Sequence, residues 1–198
     1  DECLGTPLPL SDLSTLRVWE LDATHEVLQH FSHHRVMGEV VVPGAATVAW
    51  ALTAMERSGL GAWTVEDVSF SQVLFLSATQ PVCVQLLLRQ ERSDEWRLRV
   101  SSATADRALP KQWTLNAQVT LRPARTASIS QFIDVAGIRR GLALDIESRE
   151  LYARLERLGL QYGPSYQQLA RAVVGQGDAL GFLTTEALTD LQKSKWAK

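Results

Sequence analysis

Cysteine is scarce: the 198 residues hold only Cys3 and Cys83. Far apart in sequence, they match no metal-ligand spacing and no disulfide framework. They fit small apolar residues in a reducing compartment, and the reading is a cytoplasmic protein. A surplus of basic charge is also missing. Twenty basic against 22 acidic residues leave a net charge of −2, which excludes the basic field a nucleic-acid binder needs. No apolar run approaches the roughly 18 residues of a membrane-spanning helix. Asp1-Glu2-Cys3 shows no basic stretch followed by an apolar block, so no secretory signal is expected. Ser130, Ser148 and Ser165 stand in no Gly-x-Ser-x-Gly frame, which leaves a serine-nucleophile hydrolase without support. Gly175-x-Gly177 lacks a third glycine and a helix start, so it reads as a turn and not a nucleotide loop. What is present, 45% apolar and 21% charged residues, is ordinary globular material. It is long enough to build a core without a metal or disulfide.

The first part of the chain reads as strands around one helix. Leu16 to Leu21 alternates apolar and polar residues, the period of a half-buried strand. Val40-Val41-Val42 is a short β-branched run that stops at Pro43-Gly44. Pro43 fits the first turn of a helix, where its missing N–H costs nothing. That helix is expected over Ala45 to Arg57, apolar nearly all round and therefore buried on most sides. Gly59 and Gly61 end it. Further strands are expected over Val65 to Leu76, Pro81 to Arg89, Glu95 to Ser101 and Gln112 to Leu121. One buried helix with such strands is an α+β pattern. Beyond the polar stretch Arg122 to Ser128, Glu147 to Leu158 has helical spacing, capped by Gly159. Arg171 to Val174 and Ala179 to Thr184 read as a hairpin turning at 175–178. The tail from Asp190 is polar. The six tryptophans fall mostly at core positions.

His33 and His34 stand just before the expected helix. An imidazole in a dry place beside free helix N–H groups can be a general base, and the helix end can polarise a carbonyl. A histidine pair at a strand edge without any role remains open on this spacing alone. His25 and His30 could join them around a metal. Their spacings match no zinc pattern and no cysteine or acidic ligand follows at helical spacing, so no metal is expected.

His34-Arg35-Val36-Met37-Gly38-Glu39-Val40-Val41-Val42-Pro43 resembles the HxxxGxxxxP motif of polyketide synthase dehydratase domains. Gly159-Leu160-Gln161-Tyr162-Gly163-Pro164-Ser165-Tyr166 resembles their GxxYGPxF motif, with tyrosine in the last place. The two come in the right order, which makes the resemblance specific. It runs from Leu4-Gly5, like the end of the family's opening HPLLG, to the end of the chain. It implies a double hot-dog fold: two repeats of a long central helix wrapped by an antiparallel sheet, the second apparently incomplete here. It implies removal of water from a 3-hydroxyacyl thioester held on the phosphopantetheine arm of an acyl carrier protein, with no cofactor of the enzyme's own. The family's catalytic base maps to His34. Gly38, Pro43 and Gly44 would shape the turn and helix start. Tyr162, Gly163 and Pro164 would line the substrate tunnel. The implied partners are the carrier protein and neighbouring synthase domains, with a homodimer in the full synthase and no nucleic acid or membrane.

The expected division is a first repeat over 1–123, a linker over 124–130 and the start of a second repeat over 131–198. Several positions depart from the family pattern. His33 stands where the family often has aspartate, and Asn116-Ala117 replaces its HA. The acid of its DxxxQ or DxxxH motif has no match at Asp178 or Asp190, so it is expected on a buried helix beyond Lys198. Two other activities share this resemblance. A pyran-forming cyclase adds a distal hydroxyl to an enoyl thioester. A non-catalytic module would hold a neighbouring domain or chain.

Overall fold

The computed structural model describes residues 4–11, 14–22, 26–77, 79–105, 112–124 and 133–184. In chain order they form β1 (Thr6–Pro7), β2 (Leu16–Leu21), the short helix α1 (Glu26–His30), a 3-10 turn (Phe31–His33), β3 (His34–Val36), β4 (Glu39–Val40) and helix α2 (Gly44–Arg57). Four longer strands follow: β5 (Trp63–Phe70), β6 (Val82–Arg92), β7 (Glu95–Thr104) and β8 (Thr114–Pro123). Then come α3 (Val135–Arg140), β9 (Leu142–Glu147), α4 (Ser148–Arg157), β10 (Leu160–Tyr162), a 3-10 turn (Pro164–Tyr166), β11 (Leu169–Gly175) and β12 (Ala179–Leu183). The chain divides into two compact units, one of residues 1–32 and 39–125, the other of residues 33–38 and 126–198. Residues 33–38 group with the second unit, where β3 hydrogen-bonds to β10. Of the expected linker, only Ala124 lies within the described residues.

The first unit is a six-stranded antiparallel sheet in the order β1-β2-β6-β7-β8-β5 packed on α2. Its register aligns Trp19, Leu86, Val100, Ala117 and Phe70 in one row across five strands. Trp19, Leu86, Val100 and Ala117 are buried. Alternation puts Val84, Leu86 and Leu88 on the same face of β6, all fully buried. Cys83 is buried on the same strand, its Sγ 3.8 Å from Glu20 Oε2; Cys3 lies outside the described residues.

Helix α2 begins at Gly44, with Pro43 as the extended residue before it and not within its first turn. It buries Thr47, Trp50, Ala51, Ala54 and Met55, a stripe at the spacing of one helix face. Ala45 and Leu52 are exposed, so the helix is buried along one side and not all round. Small alanines make a helix look apolar everywhere without saying which side is covered. At its end Leu60 N–H reaches Met55 O and Gly59 N–H reaches Glu56 O, the paired bonds of a glycine-terminated helix. Gly59 there has φ +66. The Phe31 ring lies edge-on to Trp50, 6.0 Å between centroids.

The strand expected over Val65 to Leu76 ends earlier, at Phe70. Ser71 and Gln72 N–H both turn onto Asn116 O, at 2.8 and 3.2 Å. The chain then runs back past Val41, which forms a bridge with Phe75. Among the tryptophans, Trp19, Trp50 and Trp96 are buried, while Trp113 is exposed.

The second unit holds the antiparallel sheet β12-β11-β9, with α4 against β9, β10 and β11. The hairpin of β11 and β12 closes with Gly175 N–H to Asp178 O at 3.0 Å. Neither α3 nor α4 has a buried residue. Among the described residues this unit has no counterpart to the buried face of α2.

Candidate active site

Strand β3 is three residues long and lies antiparallel to β10, with His34 opposite Tyr162, Arg35 opposite Gln161 and Val36 opposite Leu160. The two stretches singled out in the sequence are therefore hydrogen-bonded neighbours. After β3 the chain turns through Met37 (φ 52) and Gly38 (φ 87). Two successive left-handed residues make the tight turn that glycine favours. Met37 N–H donates to Gly159 O at 2.7 Å, and Gly38 N–H donates to Gln161 Oε1 at 2.7 Å. Arg35 Nη1 donates to Gly38 O at 2.9 Å. Gly159 has φ +84, and a Cβ there would fall 2.3 Å from Met37 Sδ. Both ends of the second motif are thus fitted to the first.

The half-buried His34 ring lies 5.2 Å from Tyr162, nearly parallel to it, and 5.2 Å from Tyr166. Tyr162 and Tyr166 are stacked at 6.2 Å, so the three rings form one cluster. Burial pushes the Tyr166 hydroxyl above the ordinary tyrosine range. Tyr152 on α4 supports this cluster from behind. Its ring meets Tyr162 edge-on, its hydroxyl donates to Tyr166 O at 3.3 Å, and that hydroxyl accepts from Leu169 N–H at 3.0 Å.

His33 has a different task. Its Nδ1 shares a hydrogen bond with Ser165 Oγ, 132 residues away along the chain. Gly163 N–H donates to His33 O at 2.8 Å. A Cβ on Gly163 would lie 2.6 Å from His33 Cγ, so glycine leaves the place that the imidazole fills. Pro164 opens the 3-10 turn, where its fixed φ fits and no N–H is needed.

The expected site residues thus separate. His34, Gly38, Tyr162, Gly163 and Pro164 come together in the second unit. Pro43 and Gly44 belong to the first. There Pro43 supplies no side-chain cap, and the first N–H groups of a helix have no partner within it. Gly44 borders a cavity of about 360 Å³, mostly apolar, whose wall includes Thr47, Phe70, Leu74 and Asn116. A Cβ on Gly44 would meet Phe70 Cζ at 3.0 Å. Tyr152, the Tyr166 ring, the His33–Ser165 bond and this cavity went unforeseen. The final tyrosine of the second motif was the available signal for Tyr166; nothing in the sequence marks Tyr152. His25, part of the metal question, lies outside the described residues. Among the described residues no group of three or more His, Cys, Asp or Glu could hold a metal ion.

Residues 2–103 match the family described as polyketide synthase dehydratase domain. Residues 134–197 match one described as polyketide synthase dehydratase N-terminal domain. The chain belongs to the polyketide synthase dehydratase family. Curated relatives include the polyketide synthase GfsB of Streptomyces halstedii, 31% identical over 73% of this chain and 2% of that protein. Another is the spectinabilin polyketide synthase system protein NorA of Streptomyces orinoci, 31% identical over 85% of this chain and 9% of that protein. The chain thus spans a small part of these synthases. Among solved structures, the dehydratase domain from the CurK module of curacin polyketide synthase superposes with TM-score 0.81 at 24% identity, over 99% of this chain and 70% of that one. The dehydratase domain from the CurF module gives 0.81 at 24%, over 96% and 68%. The fold of the chain is of the double hot-dog class, the first unit being the sheet-wrapped helix of one repeat.

Proposed function

We propose that this domain removes water from a 3-hydroxyacyl thioester carried on an acyl carrier protein, with His34 as the base. The observation that carries the reading is the pairing of His34 with Tyr162, which joins the two dehydratase motifs in one ribbon and seats the imidazole among tyrosine rings. An α-proton beside a thioester is a weak acid. An imidazole held in a fixed position is suited to take it. The C–H electron pair becomes the new double bond, the bond to the β-oxygen breaks, and an acid group completes the departing water.

In the similar CurK dehydratase, inactive mutants replace a histidine by phenylalanine in one case and an aspartate by asparagine in the other. This supports a histidine–aspartate division of labour. Asp178 is exposed in the hairpin turn, and Asp190 lies outside the described residues. Neither residue is assigned as the acid. Incubation of the full-length chain with a carrier-bound 3-hydroxyacyl thioester tests the reading. Mass spectrometry should show loss of one water in the wild type and none in His34→Ala. Cyclisation of an enoyl thioester bearing a distal hydroxyl, without water loss from the 3-hydroxyacyl substrate, would instead establish a pyran-forming cyclase.

A further inference from the structure

The turn that follows His34 is held more firmly than its own residues warrant. Met37 has φ 52, and among the described residues it is the only one besides glycines with a positive φ. A side chain is strained there, and such strain persists where the surroundings impose it. Burial of Met37 does not offset the strain, since the residue is 75% exposed. What holds the turn is hydrogen bonding. Met37 N–H donates to Gly159 O, Gly38 N–H donates to Gln161 Oε1 at 2.7 Å, and Gly38 O accepts from Arg35 Nη1 at 2.9 Å. Both backbone polar groups of Gly38 thus go to side chains, and the two residues that supply them, Arg35 and Gln161, are partners in the register of β3 on β10.

We infer that Gln161 is a positioning residue for His34: its bond to Gly38 locks the register of β3 on β10, with Arg35 holding Gly38 in place, and so fixes the face on which the imidazole lies. The inference rests on the reading of His34 as the base. Side chains alternate along a strand, so Arg35 and Gln161 lie on one face of the ribbon and His34 and Tyr162 on the other. A slip of one residue would carry His34 to the opposite face, away from the Tyr162 and Tyr166 rings. Three residue pairs offer little ladder to resist it. The apolar pattern is a weak guide as well, because Val36 and Leu160 are only half-buried. Gln161 resists the slip directly. In a slipped ribbon Gly38 moves along β10 by one residue spacing, ~3.3 Å, and its hydrogen bond to Oε1 breaks. A backbone ladder forms in many registers, whereas this side chain singles out one.

The test compares two variants of the full-length chain. Gln161→Met keeps the length of the side chain and loses the acceptor, whereas Gln161→Glu keeps an acceptor. Two readouts are taken: kcat and KM in the carrier-bound water-loss assay, and NMR cross-peaks between the His34 and Tyr162 rings. In Gln161→Met kcat should fall about fivefold, within the tenfold that one hydrogen bond can weigh. KM and the melting temperature should hold, because a slip removes the base without touching what binds the substrate. The cross-peaks should weaken, and Gln161→Glu should restore both them and kcat. Arg35→Met should lower kcat in the same way, and it takes the place of Gln161→Met if that variant does not fold. An unchanged kcat in the folded variants would overturn the inference, and so would a loss that Gln161→Glu shares. A raised KM at constant kcat would place Gln161 in substrate binding and overturn it as well. If the wild type loses no water, the dehydratase reading falls and the cross-peaks decide alone: weakened in Gln161→Met they support the lock, unaltered they overturn it.

Discussion

At Gly163 a missing side chain decides where two others go. His33 occupies the space a Cβ would take, and its Nδ1 reaches Ser165 on the turn that carries Tyr166. Gly163→Ala should displace the imidazole, shift that turn and lower activity, whereas Gly141→Ala, at a glycine of negative φ where a Cβ would meet only Ile138 O at 3.5 Å, should leave turnover unchanged. The adjacent histidines divide along the same line. His33 is engaged in holding the turn, while His34 stands among the rings opposite Tyr162. His34→Ala should cost roughly 10²–10⁴-fold in turnover, the usual weight of a general base. His33→Ala should keep most of it, and the opposite ranking in the water-loss assay would overturn the assignment. Tyr166 gives a pH test. Burial favours its neutral form, so its folded pKa lies above the unfolded value. The stability it contributes is whole below pH ~10 and is lost as pH rises through the folded value. Denaturant titrations of Tyr166→Phe should show a shallower decline of stability above pH ~10 than the wild type. An identical slope would remove Tyr166 from that account.

Helix α2 shows what an element's sequence conveys and what it withholds. Its existence and its end at Gly59 were legible, because apolar residues, a preceding proline and a following glycine coincide. Its covered side was not, because Ala45, Ala49, Ala51 and Ala54 are chemically alike and only the fold distinguishes them. Ala51 is fully buried and Ala49 half-buried. Ala51→Asp should place an unpaired charge in the core at a cost of several kcal/mol, whereas Ala49→Asp should be milder because its carboxylate can reach water. Trp50→Ala, at the centre of the stripe and against Phe31, should cost about 3–5 kcal/mol. Thermal denaturation of the three variants ranks them; equal losses at 49 and 51 would mean that the helix is covered on both sides. Strands β6 and β7 were legible through long alternation. Strands β3 and β10, with three residues each, were not, since three residues hold too little pattern to read a period. Their pairing was visible only through the motifs that they carry.

The whole chain is divided by space and not by sequence order. In space, residues 33–38 group with residues 126–198. Sequence reading follows the chain, so it does not show that the strand of His34 pairs with one more than a hundred residues later. The bonds that tie this excursion are specific: Met37 N–H to Gly159 O, Gly38 N–H to Gln161 Oε1, and Gly163 N–H to His33 O. They leave β10 dependent on β3. A piece limited to residues 126–198 would expose the β10 edge, uncover the ring faces of Tyr162 and Tyr166, and empty the space beside Gly163 that His33 fills. That piece should show exchange-labile amides at 160–163 and a mobile Tyr162 ring, in contrast to the full-length chain. Addition of a peptide spanning residues 31–40 should restore part of the protection, because it returns both the pairing strand and the imidazole. Protected amides at 160–163 in the piece alone would mean that β10 is held by α4 instead, and that the joining of the two motifs follows from the second unit's fold without helping to build it.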